Sequence, residues 1–254
     1  MRSHSITLVD ATVSHGVVEV FAGISLTVGA GSRIGLVGPN GVGKTTLLRL
    51  LAGLEEPERG RVRLSPPDLA VGYLPQELDA RAGETLRGYL DRRTAASATR
   101  IASVAAELGL AERFEQPLET FSGGEAARAR LAALLLARFD VYCLDEPTND
   151  LDFDGLERLE RFVERVRGSV ALVSHDRAFL DRTVDRIVEL EEGTRRLREW
   201  PGGWCEYEAA RDRARELQYR RYGEREERSR EIKSLPYQST LPLSPVWWSR
   251  IQNV

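Results

Sequence analysis

Gly38-Pro39-Asn40-Gly41-Val42-Gly43-Lys44-Thr45 fits the pattern G-x-x-x-x-G-K-[ST], whose chemistry is the capture of a chain of phosphates. Glycines at 41 and 43 let backbone N–H groups turn toward phosphate oxygens, and a helix beginning near Lys44 adds its N-terminal dipole. Lys44 supplies a mobile point charge for the β- and γ-phosphates, and the Thr45 hydroxyl suits Mg²⁺. Lysine occurs only at 44 and 233, against 34 arginines (36 basic residues less two), so its presence in the loop needs a chemical reason. Downstream, Asp145 and Glu146 close an apolar run, Val141-Tyr142-Cys143-Leu144. Carboxylates there divide the labour, Asp145 holding the Mg²⁺ shell and Glu146 polarising the attacking water as general base. His175 follows a second apolar run, Val170 to Val173, and is placed to contact the γ-phosphate and report its presence.

These residues need elements that aim them at one place. Ile34-Gly35-Leu36-Val37 reads as a short buried strand feeding the glycine turn, and Thr45 to Ala52 as a helix ended by Gly53. Before them, Ile6 to Val28 alternates apolar and polar positions and contains Gly16, Gly23 and Gly29, the pattern of two or three antiparallel strands. A strand over Leu69 to Leu74 leads into Pro75-Gln76. Residues 84–118, rich in alanine, leucine, arginine and glutamate, suggest a small helical subdomain. Ser122-Gly123-Gly124 opens a helix through Ala137, and a further helix lies near Asp154 to Val166. Strands alternating with helices imply a largely parallel sheet, whose functional groups gather at strand C-termini.

The 254 residues suffice for one domain with an appendage, and 42% hydrophobic and 30% charged residues are ordinary globular proportions. The longest interior apolar run, Leu131 to Ala137, falls far short of the roughly 20 residues of a membrane span, and the N-terminus lacks the apolar core of a secretory signal. A cytoplasmic protein is expected. The net charge of −3 gives no global case for nucleic-acid binding, so any contact with RNA must be local. Two cysteines without paired spacing exclude a disulfide framework and a zinc site. Residues 206–233 carry 8 acidic and 9 basic residues, a balance that by itself describes a solvated or coiled-coil face. The last 21 residues, with prolines at 236, 242 and 245 and no acid, cannot continue a helix.

The order phosphate loop, Leu74-Pro75-Gln76, Phe121-Ser122-Gly123-Gly124-Glu125, Leu144-Asp145-Glu146-Pro147, Leu151-Asp152, Ser174-His175-Asp176 resembles the nucleotide-binding domain of the ATP-binding-cassette (ABC) superfamily, over residues 5 to about 200. The resemblance implies an α/β P-loop NTPase fold: a mostly parallel core sheet, antiparallel N-terminal strands and a helical subdomain over about 78–137. It implies ATP and Mg²⁺, bound by residues 38–45 with Thr46 alongside and by Thr45, Gln76 and Asp145 respectively, and hydrolysis by Glu146 with His175 and Gln76. Gln76 would link the γ-phosphate and Mg²⁺ to the helical subdomain. Ser122, Gly123, Gly124 and Glu125 would form the signature that closes over a nucleotide bound to an opposite cassette, and Asp152 belongs to the loop crossing that interface. Locally, the signature is indistinguishable from an ordinary helix cap. Phe121 stands where the family usually has leucine. His15 stands where an aromatic residue commonly stacks on adenine, and a solvated turn histidine is an equal reading.

Within the superfamily, Glu146-Pro147-Thr148-Asn149-Asp150-Leu151-Asp152 followed by Ser174 to Asp181 resembles the ABC-F class, which lacks membrane domains, carries two cassettes and acts on the ribosome in translation or antibiotic protection. Trp200 to Tyr207 is similar to the segment leading into that class's linker, whose tip reaches tRNA. The expected organisation is a cassette over 1–204, a charged helical linker over 205–233 and an irregular tail over 234–254. Partners would be a second cassette, as a homodimer or another chain, and the ribosome or tRNA. An ATP-binding transporter subunit and a truncated, non-hydrolysing ATP binder are the alternatives. The tail reads as a truncated or frame-shifted gene or as a natural disordered terminus.

Overall fold

The structure, a computed structural model, describes residues 4–216 and residue 220. The described residues up to Ala209 form one compact unit, and Ala210 opens a second, of which 210–216 and 220 are described and helical. The remainder of the expected charged linker and the tail over 234–254 lie outside the described residues.

Alternation in the N-terminal segment becomes a hairpin of two long strands, β1 (Ser5–His15) and β2 (Val18–Gly29), turning at Gly16. Ile6, Leu8, Ala11 and Val13 face inward on β1. A third antiparallel strand, β4 (Arg59–Ser65), pairs with the other edge of β1, giving the order β2-β1-β4. Its sequence, Arg-Gly-Arg-Val-Arg-Leu-Ser, alternates arginine with Gly60, Val62 and Leu64, but it is mostly exposed and only Val62 packs on the core, so its apolar signal is weaker than that of β1.

The second sheet has six strands in the order β5 (Val71–Leu74), β6 (Val141–Asp145), β7 (Ser169–Val173), β3 (Arg33–Val37), β8 (Arg186–Leu190) and β9 (Leu197–Pro201). The first five run parallel and β9 antiparallel. Every residue of β6 and β7 is buried, as expected of central parallel strands covered on both faces. The sequence reading found β3, β5, β6 and β7 but not β8 or β9, whose apolar residues are interrupted by Arg186, Glu189, Arg198 and Glu199.

Helix α1 (Lys44–Leu51) packs between the sheets, burying Thr46, Leu47, Leu48, Leu50 and Leu51 in one core with Ile6, Phe21, Ile34 and Val173. At about 1.5–3 kcal/mol for each fully buried leucine, that burial fixes both the helix and the loop preceding it. The other helices are α2 (Leu86–Arg93), α3 (Ala98–Glu107), α4 (Gly123–Leu136), α5 (Phe153–Arg165) and α6 (Arg177–Thr183), with 3₁₀ turns at Ala111–Arg113 and Leu118–Thr120 between α3 and α4.

Arg33, the first residue of β3, ties this strand to the end of α5. Its guanidinium donates to the carbonyls of Val163 (2.7 Å), Val166 (2.5 Å) and Gly168 (2.8 Å). These include helix-terminal carbonyls that have no partner inside the helix. A planar fork reaches all three, whereas an ammonium cannot span them. Arg33→Lys therefore keeps the charge but is expected to lower stability by about 2 kcal/mol, the order of cost of unmade buried hydrogen bonds, measured by urea denaturation. An unchanged midpoint would count against this anchoring role.

Candidate nucleotide site

All five parallel strands end on the same edge of the sheet, and the loops that follow β3, β5, β6 and β7 carry the residues singled out in the sequence. The loop after β3 turns through Gly41 (φ +78°) and Gly43 (φ +107°). Open space surrounds a Cβ at Gly41, so only its dihedral demands glycine; at Gly43 a Cβ would also lie 2.4 Å from Val20 Cγ1. Gly38 is half-buried, Pro39 and Asn40 are exposed, and Val42 is buried in the core below.

Gly43 is also the N-cap of α1, and it offers no side-chain oxygen. The N–H groups of Gly41, Gly43, Lys44, Thr45 and Thr46 accordingly find no acceptor among the described residues. By contrast α2, α3, α4, α5 and α6 are capped by Thr85, Ser97, Ser122, Asp152 and Asp176, each accepting a backbone N–H. Lys44 folds over the loop, its Nζ donating to the carbonyls of Gly38 and Pro39 at 2.9 Å each. Thr45 is exposed at the first turn. Thr46 is only 7% exposed, so what it can offer a phosphate is its amide.

Asp145, at 2% exposure, closes β6 and accepts a hydrogen bond from Tyr73 Oη at 3.1 Å on Oδ2, while Oδ1 has no hydrogen-bond partner among the described residues. Glu146, at 5% exposure, follows in the left-handed region (φ +46°), a conformation costing a non-glycine residue about 1–3 kcal/mol. Its N–H donates to Val173 O at 3.0 Å. The backbone N–H of His175 donates to Glu146 Oε2 at 3.2 Å, and His175 Nε2 lies 3.2 Å from Oε1. His175 therefore clasps the carboxylate from two sides, while its side chain remains 63% exposed toward the edge. Burial pushes the Glu146 carboxyl above its ordinary range; the imidazole and amide of His175 pull it back, Asp145 pushes it up, and Lys44 pulls it down. Burial likewise lowers the Lys44 ammonium, opposed by Glu146 and Asp145. Loop and carboxylates thus share one electrostatic field.

Gln76 lies after β5, exposed, with no hydrogen bond from its side chain among the described residues. The exposed Thr45 hydroxyl, the unpartnered Asp145 oxygen and the Gln76 amide oxygen are hard donors, the chemistry Mg²⁺ takes.

Arg130, which the sequence reading passed over, organises this edge. On α4 and 5% exposed, it donates to the carbonyls of Pro75 (3.1 Å), Gln76 and Asn149 (3.2 Å), holding the loops after β5 and β6 to one helix. The available signal was weak, since Arg128 and Arg130 both stand among the alanines of α4 and only burial separates them. Tyr73 was missed because a tyrosine in a strand ordinarily signals packing alone.

The start of α4 is a closed capping box: Ser122 Oγ accepts from Glu125 N–H at 3.3 Å, and Glu125 Oε2 accepts from Ser122 N–H at 2.8 Å. Arg113 pairs with Glu125 at 3.0 Å and stacks over Phe121. Gly123 and Gly124 lie beside Asp150. Asp152 Oδ1 caps α5 through Gly155 N–H at 2.8 Å, and Oδ2 meets Arg128 at 3.4 Å. His15, at the end of β1, is exposed and bonded to Glu55 at 3.0 Å.

The family model described as ABC transporter matches residues 21–149, just over half of the chain. The chain is 33% identical to the tylosin resistance ATP-binding protein TlrC of Streptomyces fradiae, in an alignment covering 86% of the chain and 49% of TlrC. It is 32% identical to ABC transporter F family member 5 of Arabidopsis thaliana (81% and 36%) and to the energy-dependent translational throttle protein EttA of Escherichia coli (69% and 39%). It therefore spans about half or less of the curated relatives it matches. In fold it is similar to an ATP-binding subunit of an ABC transporter (22% identity, TM-score 0.67, 77% of this chain and 89% of that one) and to a bacterial Atm1-family ABC exporter with ATP bound (23%, 0.68, 81% and 40%). On the match over residues 21–149, the chain belongs to the ABC transporter family of ATP-binding-cassette domains, and its curated relatives include ABC-F members.

Proposed function

We propose that the chain is an ABC ATPase that binds Mg-ATP between two cassettes, hydrolyses it, and works as an ABC-F-type factor on the translation machinery. The observation that carries this reading is the convergence, on one sheet edge, of the uncapped α1 amides and Lys44 with a buried Glu146 held by His175. The ABC-F part is supported by likeness to relatives named for tylosin resistance and for translational throttling, over 86% and 69% of the chain. No helix among the described residues is long and apolar enough to cross a membrane.

In the proposed mechanism the amides of Gly41, Gly43, Lys44 and Thr45 take the phosphate chain, and Lys44 exchanges the carbonyls of Gly38 and Pro39 for phosphate oxygens. Thr45, Asp145 and Gln76 would hold magnesium, which would supply positive charge to the phosphate chain when bound. Glu146 accepts the proton of the attacking water, and His175 fixes that carboxylate's orientation before its exposed ring meets the γ-phosphate. Ser122, Gly123, Gly124 and Glu125 close over the nucleotide of the opposite cassette, with Asp152 on the facing loop. One cassette presents only half of each composite site, so turnover needs a second copy or another chain.

Glu146→Gln is expected to retain ATP binding and to slow turnover by about 10²–10⁴-fold, the usual contribution of a general base, in a phosphate-release assay. Unchanged turnover would remove Glu146 from that role. The same variant, trapped with ATP, should cosediment with ribosomes; copurification with a membrane complex instead would favour a transporter subunit. Lys44→Ala should abolish nucleotide binding by calorimetry, and retained submillimolar affinity would contradict the phosphate-loop assignment. Arg130→Ala leaves buried carbonyls on two site loops unpaired, so stability should fall by about 2–3 kcal/mol and kcat should drop more than ATP affinity. Loss of affinity alone would show that Arg130 does not hold the catalytic loops.

A further inference from the structure

The sheet edge opposite the nucleotide site, where β6 and β7 begin, carries a groove of about 660 Å³ between α3, the end of α4 and α5. Arg100, Arg138, Arg158, Arg161, Arg165 and Arg167 line it, against a single acidic lining residue, Glu107. Six positive charges and one negative leave the lining at +5, on a chain whose net charge is −3. Arg100 pairs with Glu107 at 3.8 Å and Arg161 with Glu157 at 2.9 Å. Arg138, Arg158, Arg165 and Arg167 make no ion pair or hydrogen bond among the described residues, and all but the half-buried Arg158 are exposed. Uncompensated guanidinium groups crowded into one concavity repel one another, an arrangement that an anion relieves.

The floor is aromatic and fixed. Tyr142 meets Phe139 edge to face at 5.5 Å and Phe162 at 5.3 Å. Its hydroxyl donates to Ala137 O and accepts the Phe139 N–H. The Phe139 ring lies over Gly72, so close that a Cβ there would fall 2.1 Å from Cδ2. Phe139 and Phe162 remain half-buried, each keeping part of its ring at the groove. On α5, Arg158, Arg161 and Arg165 share one face and span about 10 Å along the axis.

We propose that this groove is a binding site for the phosphate backbone of RNA. Guanidinium forks match phosphate oxygens bidentately, and the aromatic floor gives an unstacked base a surface to meet. Concavity favours a nucleic-acid ridge over a membrane, which is flat. The proposal rests on and deepens the translation-machinery part of the proposed function, while the groove shares no residue with the nucleotide site, so RNA binding and ATP turnover can fail separately.

Fluorescence anisotropy with a labelled 20-nucleotide RNA hairpin, on the full chain at several salt concentrations, tests it. R158E/R161E/R165E should weaken binding at least about tenfold and reduce the slope of log affinity against log salt by about two, as expected for three lost phosphate contacts. R59E/R61E/R63E makes the same charge change on exposed β4, away from the groove, and should weaken binding less than about threefold. The neutral R158Q/R165Q should give an intermediate loss, and intact ATP binding in each variant confirms that it folds. Equal losses in the two triple variants, no loss, or no RNA binding by the parent chain would overturn the proposal. So would groove-dependent binding to phosphatidylserine vesicles without RNA binding.

Discussion

The N–H groups that open α1 find no acceptor among the described residues. A helix start normally meets a serine, threonine or aspartate oxygen, as α2 to α6 do here, but α1 begins on Gly43 and keeps its first amides unclaimed. Aligned with the helix dipole, they make a fixed positive pole. What holds it in place is burial: five of the eight residues of α1 sit between two sheets, so the helix cannot slide or fray to satisfy its own end. β3, fully buried from its second residue and anchored through Arg33 to α5, delivers the chain to that pole.

The carboxylates answer this pole from two strands away. β7 lies between β6 and β3, so the end of β6 sets Asp145 and Glu146 near Lys44 without joining them to the loop. Glu146 departs from strand conformation at φ +46°, which takes its side chain out of the β6 alternation and into the grip of His175. Arg130 then joins the Gln76 and Asn149 loops to α4, the helix whose start carries Ser122 and Glu125. A displacement of α4 would thus be felt at the carboxylate edge through one buried guanidinium, which gives the helical region a mechanical route to the site.

Much of this was legible in the residues, for reasons that differ by element. The glycine loop over 38–45, the buried strands β3, β6 and β7 and the cap at Ser122 are local: short apolar runs and turn chemistry specify them within a few residues. What could not be read is relational. β4 alternates arginine with Gly60, Val62 and Leu64, but with two apolar side chains its place as a strand shows only in its pairing with the edge of β1. β8 and β9 earn their places by completing the sheet beyond β3. Arg130 looks like a misplaced charge until three loop carbonyls are found around it, and the arginines of the opposite edge are scattered from 100 to 167 and meet only in three dimensions. His15, which the sequence allows either to stack on adenine or to be a solvated turn histidine, is bonded to Glu55 in this structure.

Amide hydrogen exchange at residues 41–46 tests the open pole most directly. In the nucleotide-free chain Val42 N–H donates to Pro39 O, whereas the amides of Gly41, Gly43, Lys44, Thr45 and Thr46 have no acceptor among the described residues and should exchange quickly. On addition of Mg-ATP they should become protected together, while the amides over 44–46 in Lys44→Ala should stay unprotected. Protection of these amides before any nucleotide is added, or no change on its addition, would contradict the claim that the uncapped start of α1 is where the phosphates are held.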